Sequence, residues 1–75
     1  MKKIRYSDKT ILEILNYLDE EKLKYSKLPE EIRIVISKKN HGKVFTKLSK
    51  ILEDSKYQVQ EELPEFILSV FNGSV

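Results

Sequence analysis

The chain has 75 residues, 14 Lys and Arg against 12 Asp and Glu, 40% hydrophobic residues and no cysteine. It is therefore one small domain (1–75), near the size at which a folded monomer becomes marginal. Disulfide scaffolds and zinc fingers are excluded for want of thiols.

The longest apolar runs, such as Phe66-Ile-Leu, are far too short to span a bilayer, so no membrane partner is expected. The basic start is interrupted by Asp8, Lys9 and Glu13 before any apolar signal segment can form, and a cytoplasmic location is the expectation. Net charge is only +2, but it is unevenly spread. Residues 1–9 carry +3, residues 10–32 carry −3, residues 33–56 carry +5, and residues 57–75 carry three acids and no base. The positive charge collects in an opening basic arm (1–6) and in the middle of the chain; the folded part is expected over 7–75.

Ser7 is a plausible N-cap, with Asp8 in the first turn where the helix dipole favours an anion. Ile11, Ile14, Leu15 and Leu18 then recur at helical spacing, which predicts a helix from about Asp8 to about Leu23. The segment Leu28-Pro-Glu-Glu-Ile-Arg-Ile-Val-Ile-Ser37 is ambiguous. Pro29 followed by Glu30 and Glu31 is a helix start, whereas the β-branched run from Ile32 to Ile36 suits a buried strand. A short helix is the reading taken. Lys38 to Gly42 reads as a turn.

A second helix is predicted from about Gly42 to Asp54. Val44, Leu48 and Ile51 cluster on one side, with Phe45 and Leu52 at the edge. Lys43, Lys47 and Lys50 form a separate stripe. Tyr57-Gln-Val-Gln alternates at period two, Glu61-Glu-Leu-Pro-Glu65 breaks the chain, and Phe66-Ile-Leu-Ser-Val-Phe71 is rich in β-formers. A C-terminal hairpin is the reading taken, with a last helix from Pro64 to Phe71 as the competitor.

Ser26-Lys-Leu-Pro-Glu-Glu-Ile, then Ile36-Ser37, then Val44-Phe-Thr-Lys-Leu-Ser-Lys-Ile-Leu-Glu-Asp-Ser-Lys-Tyr-Gln-Val59 resemble the second helix, turn, and recognition helix with first wing strand of a winged helix-turn-helix domain. The resemblance implies a mainly α fold with a C-terminal β-hairpin. It also implies sequence-selective binding of double-stranded DNA by a small transcriptional regulator. Its acidic wing loop suggests that any wing does not grip phosphate.

Lysines that meet phosphates release condensed counterions. Lys43, Lys47 and Lys50, with Lys38 and Lys39 before them and Lys56 after, are the candidate phosphate contacts. Lys2, Lys3 and Arg5 could follow the backbone as an arm. Asn40, His41 and Thr46 lie near the helix start, where such domains meet base edges. Against this, a lysine stripe is most often a solvated face, and a lone histidine beside a glycine is most often a turn residue. No metal or cofactor is expected, because no Cys or second His can join His41. The acid pairs Glu20-Glu21, Glu30-Glu31 and Glu61-Glu62 sit at element boundaries, and no serine has a nucleophile motif, so an enzyme is not expected. Size and the two-fold symmetry of most operators point to a homodimer. The alternative is a protein-binding module, such as a viral inhibitor or adaptor of a host or regulatory protein, with the apolar tail as its contact.

Overall fold

The computed structural model describes residues 2–62 and 66–73. The order of elements is α1 (Lys9–Glu20), β1 (Lys24–Lys27), β2 (Glu31–Val35), α2 (His41–Leu52), β3 (Tyr57–Glu62) and β4 (Ile67–Asn72). The strands form one antiparallel sheet in the order β1-β2-β4-β3. This is a small α+β domain, and it corrects the expected mainly α, winged helix-turn-helix-like fold: strands make up the middle of the chain as well as its C-terminal hairpin.

The correction turns on residues 24–36. Ile32, Ile34 and Ile36 are buried while Arg33 and Val35 are exposed, which is the period of a strand with one side covered. The expected short helix is therefore β2. Pro29 does not open a helix; Leu28 N–H donates to Glu31 O at 2.9 Å, closing a tight turn with proline in its second position. Proline favours that position because its ring presets φ, the same property that suits it to a helix start. Ser26 and Lys27, expected to lead into that helix, belong to β1, which the sequence reading missed.

Both helices lie where expected, with shifted ends. Asp8, not Ser7, is the N-cap of α1, and its carboxylate accepts from Thr10 N. Ile11, Ile14 and Leu18 are buried from α1, and Val44, Leu48 and Leu52 from α2. Leu52 rather than Ile51 thus shares the centre of the dry side of α2. These residues pack on Ile32, Ile34, Leu68, Val70 and Tyr57 of the sheet. Ile4 of the basic arm joins the same core, and its N–H donates to Pro29 O. Truncating any one of the fully buried aliphatics to alanine is worth roughly 2–5 kcal/mol, a large share of what holds so small a domain together. The break expected over Glu61-Glu-Leu-Pro-Glu65 starts later, because Glu61 and Glu62 belong to β3; its remainder, 63–65, and the helix start that competed with it lie outside the described residues.

Helix α1 ends in a Schellman turn. Leu23 N–H donates to Leu18 O and Lys22 N–H to Asp19 O. Lys22 takes the left-handed position with φ 56°, where glycine is the usual occupant. Gly42, by contrast, stands inside α2, where a Cβ would meet nothing within 4 Å. The two positions reverse the usual preference. Lys22→Gly and Gly42→Ala are each expected to raise stability by about 0.5–1 kcal/mol. Together they should move the thermal midpoint up by several degrees in a calorimetric scan; no change for Lys22→Gly would mean that the left-handed residue is unstrained.

Candidate functional site

The twelve expected contact residues fall into three places. Lys43, Thr46, Lys47 and Lys50 lie along α2, as their spacing requires. Helix α1 packs alongside, and two of them turn towards it. Lys43 Nζ is 3.3 Å from Glu21 Oε1. Lys47 Nζ sits 5.9 Å from the Tyr17 ring centroid, in a cleft of about 300 Å³ lined by Glu13, Asn16, Tyr17, Glu20, Lys47 and Ile51. Lys43 must give up Glu21 before it meets a phosphate. Lys50 and Thr46 remain exposed.

Lys38, Lys39, Asn40 and His41 form the second group, between β2 and α2. The first three are exposed. His41 is turned inward: its ring stacks on Phe45 at 6.2 Å and meets the edge of Phe66 at 5.8 Å. Its Nε2 is 3.1 Å from Glu61 Oε2 but off the line that a hydrogen bond needs. The imidazole is a packing group here, not one presented to base edges.

The third group is brought together from the ends of the chain. Tyr57, at the start of β3, is 2% exposed. Its hydroxyl donates to Asp8 Oδ2 at 3.2 Å and accepts from Arg5 N–H at 3.3 Å. Asn72, its cross-strand neighbour, donates from Nδ2 to Lys3 O at 3.4 Å. Gly73 N–H donates to Lys56 O at 2.8 Å, and Lys56 Nζ lies 5.5 Å from the Tyr57 ring centroid. The arm is thereby fastened beside the β3–β4 end of the sheet. Lys2, Lys3, Arg5 and Lys56 are exposed at this corner. Among the described residues, Lys3, Arg5 and Lys56 are in no ion pair with a carboxylate. The Asp8 carboxylate is already engaged by Thr10 N and Tyr57.

Sequence reasoning named the cations of this corner but missed what assembles it. Tyr57 and Asn72 lie more than fifty residues from the arm, and no local period announces them. The alternating run from Tyr57 was the available signal, since its first residue had to face the core.

Among the described residues, no group of three or more His, Asp or Glu gathers as metal ligands. No helix in the same residues is long and apolar enough to cross a membrane. No protein family model matches this chain, and no curated protein or solved structure matches it.

Burial raises the Tyr57 phenol above its ordinary value; the Arg5 N–H pulls it down and the Asp8 carboxylate pushes it up. Above about pH 10 a free phenol ionises in the unfolded chain while the buried one keeps its proton. The native state then holds more protons, so stability falls as pH rises from there towards the native value. Urea titrations from neutral pH to about pH 11 should show this decline, and Tyr57→Phe should make it shallower. At neutral pH Tyr57→Phe is expected to cost about 1 kcal/mol, because Arg5 N–H loses its acceptor. An unchanged alkaline decline in Tyr57→Phe would assign the effect to Tyr6, Tyr17 and Tyr25, which are raised as well.

Proposed function

We propose that this chain is a small double-stranded DNA-binding protein, acting in the cytoplasm, that grips the duplex through the corner where its basic arm meets β3. The observation that carries the reading is the convergence of Lys3, Arg5 and Lys56, held by Tyr57 and Asn72 and left without carboxylate partners among the described residues. Cations presented together on a fixed backbone meet successive phosphates without first losing the entropy of a floppy tail. Each contact releases counterions, so affinity depends on salt. On α2, Lys50 lies in the last turn, towards the same end as Lys56, and extends the surface. Selective readout, and with it a role in regulating transcription, would fall to Thr46, which is exposed on α2, whereas Asn40 caps the far end of that helix.

A second reading, a module that binds a host or regulatory protein, draws on a different observation. The apolar tail is split: Leu68 and Val70 complete the core, while Ile67 and Phe71 face away from it and are only half-buried. They share that side with Val35, 53% exposed.

Titration of a short mixed-sequence duplex separates the two. Wild-type affinity should fall steeply between about 50 and 200 mM salt. Replacing Lys3, Arg5 and Lys56 by Glu should abolish detectable binding even at the lower salt. Replacing Lys43, Lys47 and Lys50 by Glu should weaken binding less, since two of the three already face α1. If the α2 variant loses binding and the corner variant keeps it, the surface is the helix. If the wild type ignores duplex even at low salt, the nucleic-acid reading falls.

A further inference from the structure

Both helices pack on one side of the sheet, and no element among the described residues covers the other. The strand register gives that open side three rows. One row is Lys24, Val35, Ile67 and Glu62. The next is Ser26, Arg33, Ser69 and Gln60. The last contains Glu31, Phe71 and Gln58. The middle of the face is knitted together by its own side chains. Arg33 lies 3.4 Å from Glu31 and 3.0 Å from Glu62, and Ser69 Oγ donates to Glu31 Oε2 at 2.7 Å. Ser69 is consequently only 3% exposed although it points away from the core.

Two cations, Lys24 and Arg33, balance two anions, Glu31 and Glu62, so this face has no net charge to offer a polyanion. It has instead the pattern of a surface that complements itself. A two-fold axis lying between two stacked sheets, parallel to the strands and centred between β2 and β4, sets β1 over β3 of the second copy and β2 over its β4. In the first row, Lys24 then meets Glu62 of the second copy, and Val35 meets its Ile67. Both contacts occur twice, as an isologous interface requires. The other two-fold in the same plane sets Ile67 on Phe71, but it also sets Arg33 on its own copy, Glu31 on Val35 and Lys24 on Leu28, so no opposite charges meet.

We propose that the protein forms a homodimer through this open sheet face, with Val35–Ile67 contacts flanked by Lys24–Glu62 pairs across the two-fold. The strands of the two copies run within about 30° of one another, as stacked twisted sheets do. Four strands at about 4.8 Å spacing and five or six residues of length give a face near 19 by 19 Å. Two such faces remove on the order of 1,000 Å² from water, the lower bound for specific association, so the dimer is weak and concentration-dependent. This inference does not rest on the nucleic-acid reading.

Sedimentation equilibrium at physiological salt is the test. Wild type should shift from the 8.9 kDa chain mass to twice that value as its concentration rises. The shift should fall between roughly micromolar and 1 mM. Lys24→Glu and Glu62→Lys should each fail to self-associate, because each places like charges opposite one another twice. Mixed in equal amounts, the two variants should form a heterodimer in which both pairs are restored. Val35→Glu, at an exposed position that tolerates a charge in the monomer, should weaken self-association by about tenfold or more, because the dimer buries that charge unpaired. Circular dichroism checks its fold; should it not fold, the mixing experiment decides alone. A wild type that stays monomeric at about 1 mM would overturn the proposal and leave the face to a different protein. So would a dimer in which the two charge variants pair with themselves as readily as with each other.

Discussion

Alternation along β2 puts Ile32, Ile34 and Ile36 under the helices and leaves Arg33 and Val35 on the far side. Everything else follows from having one layer of helix and one of sheet. Two helices of twelve residues can cover only one side of a four-stranded sheet. The side they cover takes nearly all of the strongly buried aliphatics. The uncovered side must then solve a separate problem, holding half-buried Ile67 and Phe71 beside charged neighbours without a lid. It does so with local neutralisation: Arg33 is bracketed by two glutamates, and the Ser69 hydroxyl is spent on one of them. Short edge strand β1, carrying Lys24 and Lys27, meanwhile discourages edge-to-edge pairing on its side of the sheet.

The helices were legible because their evidence is local. Ile11, Ile14 and Leu18 repeat at helical spacing and are buried; in α2 burial followed Val44 and Leu48 but took Leu52 where the spacing had put Ile51. The first half of the sheet was not legible in the same way. Pro29-Glu30-Glu31 carries the chemistry of a helix start and of a turn alike, since a preset φ serves both. The isoleucines at 32, 34 and 36 satisfied period two, but Val35 filled the gap that a polar residue would have marked. Lys24-Tyr-Ser-Lys27 has no apolar run at all; it is a strand because β2 lies beside it. The β2–β4 pairing joins residues more than thirty positions apart, and no local pattern encodes that register.

The candidate site divides along the same line. The lysine stripe of α2 could be read from spacing, but its neighbours could not. The helices run antiparallel, so the acidic end of α1 lies beside the start of α2, and Glu21 reaches Lys43. Charge that looked concentrated along the chain is partly cancelled across the fold. The opposite holds for the arm. Lys3, Arg5 and Lys56 looked dispersed, and the fold collects them through Tyr57 and Asn72. A net charge of +2 is therefore a poor guide to where a polyanion would find purchase; what counts is which cations the tertiary structure leaves unanswered.

The two proposed surfaces constrain one another. The basic corner lies at the end of the sheet where β3 starts and β4 ends. The open face lies at right angles to it, along the flat of the strands. A two-fold axis parallel to the strands keeps that end of both copies on the same side of the dimer. Two arms and two Lys56 side chains would then point the same way, spaced by the thickness of two stacked sheets and the helices behind them. A two-fold across the strands would send the corners to opposite ends, where one straight duplex could not touch both. The axis favoured by the Lys24–Glu62 pairing is thus also the one that would let two basic corners act on a single duplex. Dimerisation would raise duplex affinity through effective concentration, without adding a contact to either corner.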